Sequence, residues 1–206
     1  MSRKLRETPI PRVVVTEFDR QRFEALILYI AHRRSGDVRF GRTKMAKALF
    51  YSDFSVYQDQ GEPLTGATYI RMPFGPFPKE LDAAEESLER QGRASLDYDV
   101  PGEYEEKRII PSDDPDTSLF EGWQILTVNA CIDRVASETA AGISEISHHH
   151  PGWLLAEKVG VEIPYETAIL PQGRPDGYEA TLAEEVAREH GWQSADGKWI
   201  WERSDA

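Results

Sequence analysis

The chain has 206 residues, 40% of them hydrophobic, a formal net charge of −12 and one cysteine. That length allows one well-cored domain with appendages, and a single cysteine excludes an intrachain disulfide. No apolar run approaches the roughly 18 residues a membrane-crossing helix needs. The first residues also lack the apolar stretch of a secretory signal, so the expectation is a cytoplasmic protein. Charge is unevenly placed: residues 1–50 carry 12 basic and 5 acidic side chains, and the remaining 156 carry 12 and 31. An acidic body repels nucleic acid and steers basic partners toward itself. The basic first quarter either complements that body within the fold or touches phosphates.

Residues 1–15 read as a flexible basic arm, with prolines but no periodicity. Thr16, Glu17 and Asp19 offer a helix start, a cap followed by early acids at the positive end of the dipole. Phe23, Leu26, Ile27, Ile30 and Ala31 then form a continuous apolar stripe that ends near Ser35 and Gly36. A second helix is expected from about Gly41, with Met45, Ala48, Leu49 and Ser52 on one face and Phe50, Tyr51 and Phe54 widening it. Two short helices in succession suggest a DNA-binding helix-turn-helix. The aromatic density of the second argues against a recognition helix, which needs polar side chains matched to base edges. Gly61, Glu62 and Pro63 break this helix. Residues 64–72 read as a strand that runs into Pro73-Phe74-Gly75-Pro76-Phe77-Pro78. Three prolines and a glycine fix the backbone there and remove amide donors. The run is either a rigid connector whose phenylalanines seal the core or a preorganised docking edge.

The order of these pieces carries a specific resemblance. Lys44-Met45-Ala46-Lys47-Ala48-Leu49-Phe50-Tyr51-Ser52-Asp53, then Gly61-Glu62-Pro63-Leu64-Thr65-Gly66, then Tyr69 with the Pro73–Pro78 corner, resembles the Panacea domain of SocA-like antitoxins. The family pattern is a K-L-x-K-L-L-Y-Y-x-D helix, a G-x-P-L/I-T-G turn and a Y-x-x-x-P-Y/F-G-P-x-P corner. Departures are mild: Ala48 replaces a larger apolar residue, and Ser52 stands where alanine is usual. The resemblance makes Lys44, Lys47, Gly61, Pro63, Thr65, Gly66, Tyr69, Pro73, Gly75, Pro76, Pro78 and Pro151 the structural motif residues. It implies a domain over residues 16–163, with residues 164–206 as an extension packed on it or used for a partner.

After the corner, residues 79–91 form an acidic amphipathic helix with Leu81, Ala84 and Leu88 inward. Residues 95–100 and 104–110 suggest paired strands, and 111–116 a polar loop. Residues 120–136 read as the longest, central helix, with Val128, Cys131, Ile132 and Val135 buried; Cys131 is a small core residue rather than a nucleophile. Residues 139–147 lead into His148-His149-His150-Pro151-Gly152-Trp153. Three consecutive histidines cannot all face one ion, and His32 and His190 are distant in sequence. A helix end, a Pro-Gly turn and a buried Trp153 fit better than a metal site. Ser147, Pro151 and Trp153 also match, less specifically, the segment that closes Panacea domains. A further helix is expected over 177–190. Trp192, Trp199 and Trp201 crowd a last segment, GKWIWERS, that alternates like a strand. The fold class is therefore α+β and predominantly helical, a compact helical domain with a small hairpin or short sheet.

The sequence holds no phosphate-cradling glycine loop, nucleophile elbow, H-E-x-x-H or paired cysteines, so neither catalysis nor a cofactor is expected. The resemblance implies a type II antitoxin that binds a cognate protein toxin directly. For some relatives it implies an adaptor that hands the toxin to an AAA+ protease. Tyr51, Asp53, Phe74, Phe77 and Trp153 are the expected partner contacts, and membranes and nucleic acid are not expected as partners. The alternative is a DNA-binding transcriptional regulator acting through the basic first quarter, with Arg39, Arg42 and Lys44 on phosphates. A hydrolase without a recognisable motif is the weakest reading.

Overall fold

The computed structural model describes residues 17–98, 107–156 and 158–170. Thr16, the helix expected over 177–190 and the GKWIWERS segment lie outside them. Helix α1 (Arg20–Arg33) starts at Asp19, whose carboxylate accepts from the Arg22 N–H at 3.0 Å, and ends with His32 and Arg33 facing the negative end of the dipole. Helix α2 (Arg42–Gln60) follows a short turn. Strands β1 (Tyr69–Met72) and β2 (Gly75–Pro78) form an antiparallel hairpin, with Tyr69 opposite Pro78 and Met72 opposite Gly75. Helix α3 (Leu81–Arg90) leads to a second antiparallel pair, β3 (Ala94–Asp97) and β4 (Arg108–Pro111), with Ala94 opposite Pro111. Helices α4 (Gly122–Ala136), α5 (Ala140–His148) and α6 (Pro151–Leu155) follow, then a 3-10 turn at Tyr165–Ile169. The predominantly helical α+β class is the observed one.

The central element is α2. It has 19 residues against 15 for α4, so the expectation that residues 120–136 form the longest helix gives way. Thirteen of its residues are buried, from Lys44 to Tyr57, because α1, α4, α5, the hairpin and the 165–169 turn cover it on nearly every side. A helix enclosed in this way cannot enter a DNA groove. It also forces its polar side chains to find partners inside the protein.

Two short segments differ from expectation. Only residues 69–72 of the expected 64–72 strand pair, because Thr65 turns its backbone and hydroxyl toward α2 instead. The proline corner is itself a strand. Pro73 and Phe74 make a two-residue turn, and Pro76 and Pro78 alternate with Gly75 and Phe77 in β2. On the far side of β1, residues 160–163 pair with it through a single antiparallel bridge, Ile70 opposite Glu162. The Arg71 N–H donates to Val161 O at 2.9 Å, and the Ile163 N–H donates to Tyr69 O at 2.8 Å.

Among the described residues, no helix is long and apolar enough to cross a membrane. Cys131 is buried in the core, and its thiol sits 3.7 Å from the Ser55 hydroxyl.

Candidate functional site

Asp53 projects from α2 into a fully buried position. Its carboxylate accepts from the Thr65 N–H at 2.7 Å, the Thr65 hydroxyl at 2.6 Å and the Tyr69 hydroxyl at 2.8 Å. Three donors on one carboxylate are what make a buried charge tolerable. Burial still outweighs them and pushes its pKa up to about 6. The result ties α2 to the turn after it and to the first residue of β1. The turn itself depends on two glycines. Gly61, at φ 77°, closes α2 by donating its N–H to Tyr57 O at 2.7 Å. Gly66, at φ +70°, passes so close to the backbone of Glu17 that a Cβ would lie 2.7 Å from that carbonyl oxygen. Pro63, half-buried between them, presets the turn backbone.

Lys47 performs the matching task for β2. It is buried, and its ammonium donates to Pro76 O at 3.0 Å, an acceptor that β1 does not use. Burial lowers its pKa to about 7. Gly75 makes this contact possible. At φ +99°, it leaves room where a Cβ would stand 2.1 Å from Ser147 Oγ and 2.8 Å from Lys47 Cε and Nζ. Ser147 is also buried, and its hydroxyl donates to Ser144 O at 2.7 Å. The hairpin therefore lies directly on α2 and α5. Lys44 is buried too, with its ammonium 5.9 Å from the Phe40 ring.

The hairpin is held to α6 by a stack around Trp153. The Arg71 guanidinium lies 3.6 Å from the centre of the indole, and His148 stacks on Trp153 at 4.2 Å between ring centroids. Arg71 also donates to the carbonyls of Trp153 and Ala156, both at 3.0 Å, and the Trp153 indole N–H donates to Met72 O at 3.1 Å. Pro151 opens α6, and His150 caps it by accepting the Gly152 N–H on Nδ1 at 3.1 Å.

His150 is buried edge-on against Phe50 and Phe54. Burial drives its pKa down to about 3. A folded-state pKa below the unfolded value means the contribution to stability is complete above pH 6.5 and is lost as pH falls through 3. Asp53 has the opposite sign: its contribution is complete below pH 3.8 and is lost as pH rises through 6. Between pH 6 and 3.8 the two slopes oppose each other, each at most about 1.4 kcal/mol per pH unit. Urea titrations of His150→Asn, which keeps a capping side chain, are expected to show stability rising as pH falls across that window. The unaltered chain should rise less over the same window, because its His150 slope runs the other way. Parallel pH profiles for the two proteins would contradict the assignment.

The sequence-expected contacts separate into two groups. Asp53 and Tyr51 do not reach the surface in the folded chain. Asp53 is fully buried, and Tyr51 lies on α2 beneath Arg134, whose guanidinium is 4.7 Å from its ring. Phe74 is 53% exposed at the hairpin turn, and Phe77 and Trp153 are half-buried on the same module. Of the residues expected to meet phosphates, Arg39 is exposed and Lys44 is buried. Arg42 is engaged with Asp82 and Glu85 and lies 4.8 Å over the Phe77 ring. Arg71 was not expected at a site from sequence, and His148 was weighed only as one of three consecutive histidines. The available signal was an arginine between the apolar residues Ile70 and Met72, where a buried partner is needed. Among the described residues, no group of three or more His, Cys, Asp or Glu side chains is arranged to hold a metal ion.

A family model described as "Antitoxin SocA-like, Panacea domain" matches residues 45–154, and the chain belongs to that family. The match begins in α2 and ends in α6, so it encloses both the Asp53 cluster and the Trp153 stack. No curated protein and no solved structure matches the chain.

Proposed function

We propose that the chain is the antitoxin of a type II toxin–antitoxin pair, neutralising a cognate protein toxin by direct contact at the surface formed by the β1–β2 turn and α6. The observation that carries this reading is the use of the family motif. Lys47, Asp53, Thr65, Tyr69 and Gly75 are spent inside the protein, where they fix one hairpin against α2. An element held this firmly loses little conformational freedom on binding, so its contacts convert more fully into affinity. Phe74, Phe77 and Trp153 supply the aromatic side chains typical of binding hot spots. The acidic body favours encounter with a basic toxin. Neutralisation by occlusion requires no bond chemistry and suits a protein that works in the cytoplasm.

The test is to express the tagged chain with its neighbouring genes and identify what co-purifies. A stoichiometric protein that is toxic alone and harmless in the complex supports the proposal; a chain that purifies alone beside no toxic gene refutes it. Within such a complex, Phe74→Ala is expected to weaken binding about tenfold or more. It should lower the unfolding free energy of the free chain by no more than about 1 kcal/mol. Unchanged affinity would remove the hairpin turn from the interface. Occlusion alone also predicts that neutralisation persists in a host lacking its AAA+ proteases, whereas delivery to a protease predicts that it is lost.

A further inference from the structure

Residues 122–132 of α4 contain no charged side chain, in a chain that is 29% charged. Helical periodicity divides the element into two faces. Val128, Cys131, Ile132 and Val135 are buried, whereas Gly122, Leu126 and Ala130 are exposed at i, i+4 and i+8, along one line of the helix. Leu126 is 70% exposed, more than any other large hydrophobic residue among those described. A Cβ on Gly122 would meet nothing within 4 Å, so the line is open at its start. Trp123 and Thr127, one position further round, border it and are half-buried.

The polar side chains of this stretch are occupied within the chain. Gln124 accepts from the Glu121 N–H at 2.9 Å and from Arg22 at 3.1 Å. Asn129 accepts from the Tyr29 hydroxyl at 2.9 Å, and the Thr127 hydroxyl donates to Trp123 O at 3.2 Å. What remains along the outer line is hydrocarbon, with charge at its two ends. Glu121 precedes the first turn, and Asp133 and Arg134 stand in the last; all three are exposed. Among the described residues, the Asp133 carboxylate has no hydrogen-bond or ion-pair partner. An uncovered apolar face of this kind calls for an occupant.

We propose that this face of α4 is a self-association surface, through which two copies of the chain pack their α4 helices antiparallel about a twofold axis. The face is complementary to itself in that arrangement. Leu126 of one copy falls beside Ala130 of the other, and the small residues Gly122 and Ala130 let the helix axes approach closely. Arg134 of each copy meets Glu121 of the other, and Asp133 meets the positive N-terminal end of the facing helix. A parallel packing would instead set Glu121 against Glu121 and Arg134 against Arg134. Charge also selects this face over others. Two copies carrying −12 each repel one another, and an uncharged stretch keeps that cost lowest. With 15 residues the helix is about 22 Å long, so the contact is small and the association is in the micromolar range. This inference does not depend on the antitoxin reading.

The experiment is sedimentation equilibrium of the full-length chain, from low micromolar to several hundred micromolar. The expected result is a reversible monomer–dimer equilibrium. In Leu126→Glu, which circular dichroism should show to be folded, the dissociation constant should rise about tenfold or more. Glu121→Arg and Arg134→Glu should each weaken the dimer alone, by setting like charges against each other at both ends. An equimolar mixture of those two variants should recover it, because every facing pair is then of opposite sign. Lost fold stability cannot produce such a recovery. A chain that stays monomeric throughout, or a dimer indifferent to Leu126→Glu, overturns the proposal. A mixture no tighter than its components overturns the antiparallel packing. A monomeric chain whose binding to a co-purifying protein is lost in Leu126→Glu overturns it in favour of that partner.

Discussion

Asp53→Ala is expected to lower the unfolding free energy by about 3–5 kcal/mol, because three buried donors lose their acceptor together. The substitution leaves the Thr65 N–H, the Thr65 hydroxyl and the Tyr69 hydroxyl without their acceptor in a region closed to water. Each unsatisfied buried donor costs about 1–3 kcal/mol, and the vacated volume adds a cavity term. Because domains are stable by only about 5–15 kcal/mol, much of the native population is at stake. Asp53→Asn keeps the shape and one carbonyl acceptor, but turns an amide N–H₂ toward hydroxyls that need an acceptor. It should fall between the alanine variant and the unaltered chain. Chemical denaturation of the three proteins checks the order, and a loss below about 1 kcal/mol in Asp53→Ala would show that water or another group replaces the carboxylate. The comparison with Phe74→Ala distinguishes scaffold from surface. One substitution should mainly remove stability, and the other should mainly remove affinity.

Much of the scaffold was legible because its signals are local. The stripe from Phe23 to Ala31 gives α1, and the Gly61 turn ends α2. Leu81, Ala84 and Leu88 give α3, while Val128, Cys131, Ile132 and Val135 give the inner face of α4. What misled was the assumption that charged and ring-hydroxyl side chains on α2 face outward. The sequence carries a counter-signal. Met45, Ala48, Leu49, Phe50, Tyr51, Phe54, Val56 and Tyr57 surround the helix axis, and a helix apolar on all sides lies inside a protein. Lys47 and Asp53, set among them, then require internal partners, which Pro76, Thr65 and Tyr69 supply. Those partners sit 12–29 positions away, and helical periodicity carries no information across that distance.

The strand within the proline-rich corner was hidden for a different reason. Proline is rightly discounted in strands because it cannot donate to a ladder. In β2, however, Pro76 and Pro78 alternate with Gly75 and Phe77, which keep their amides, and the carbonyl of Pro76 is taken by Lys47. An edge strand built this way offers few free amides to another chain, a protection against unwanted pairing. The Trp153 stack was even less visible. It joins β1 to α5 and α6 through Arg71 and His148, residues about eighty positions apart whose association depends on tertiary packing alone.

Gly75→Ala tests whether the hairpin's seat on α2 and α5 positions its turn. Two independent penalties fall on the added methyl group. The backbone at φ +99° lies where L-residues are strained, at about 1–3 kcal/mol. The Cβ would also stand 2.1 Å from Ser147 Oγ and 2.8 Å from Lys47 Cε and Nζ, distances no packed structure sustains. The serine hydroxyl has little room to retreat, because Ser147 is fully buried and its Oγ donates to Ser144 O. The hairpin must lift, weakening the Lys47 bond to Pro76 O and stranding a buried ammonium. The expected loss is about 3–5 kcal/mol, together with partner affinity if the turn carries it. Ser147→Gly in the same chain removes the nearer obstacle while leaving the backbone strain and the Lys47 contact. The double variant should therefore recover about 1–2 kcal/mol relative to the sum of the two single losses, a coupling expected of residues in contact. Strict additivity would mean that the methyl group and Ser147 never meet, and that the hairpin rests on α2 and α5 less tightly than the geometry requires.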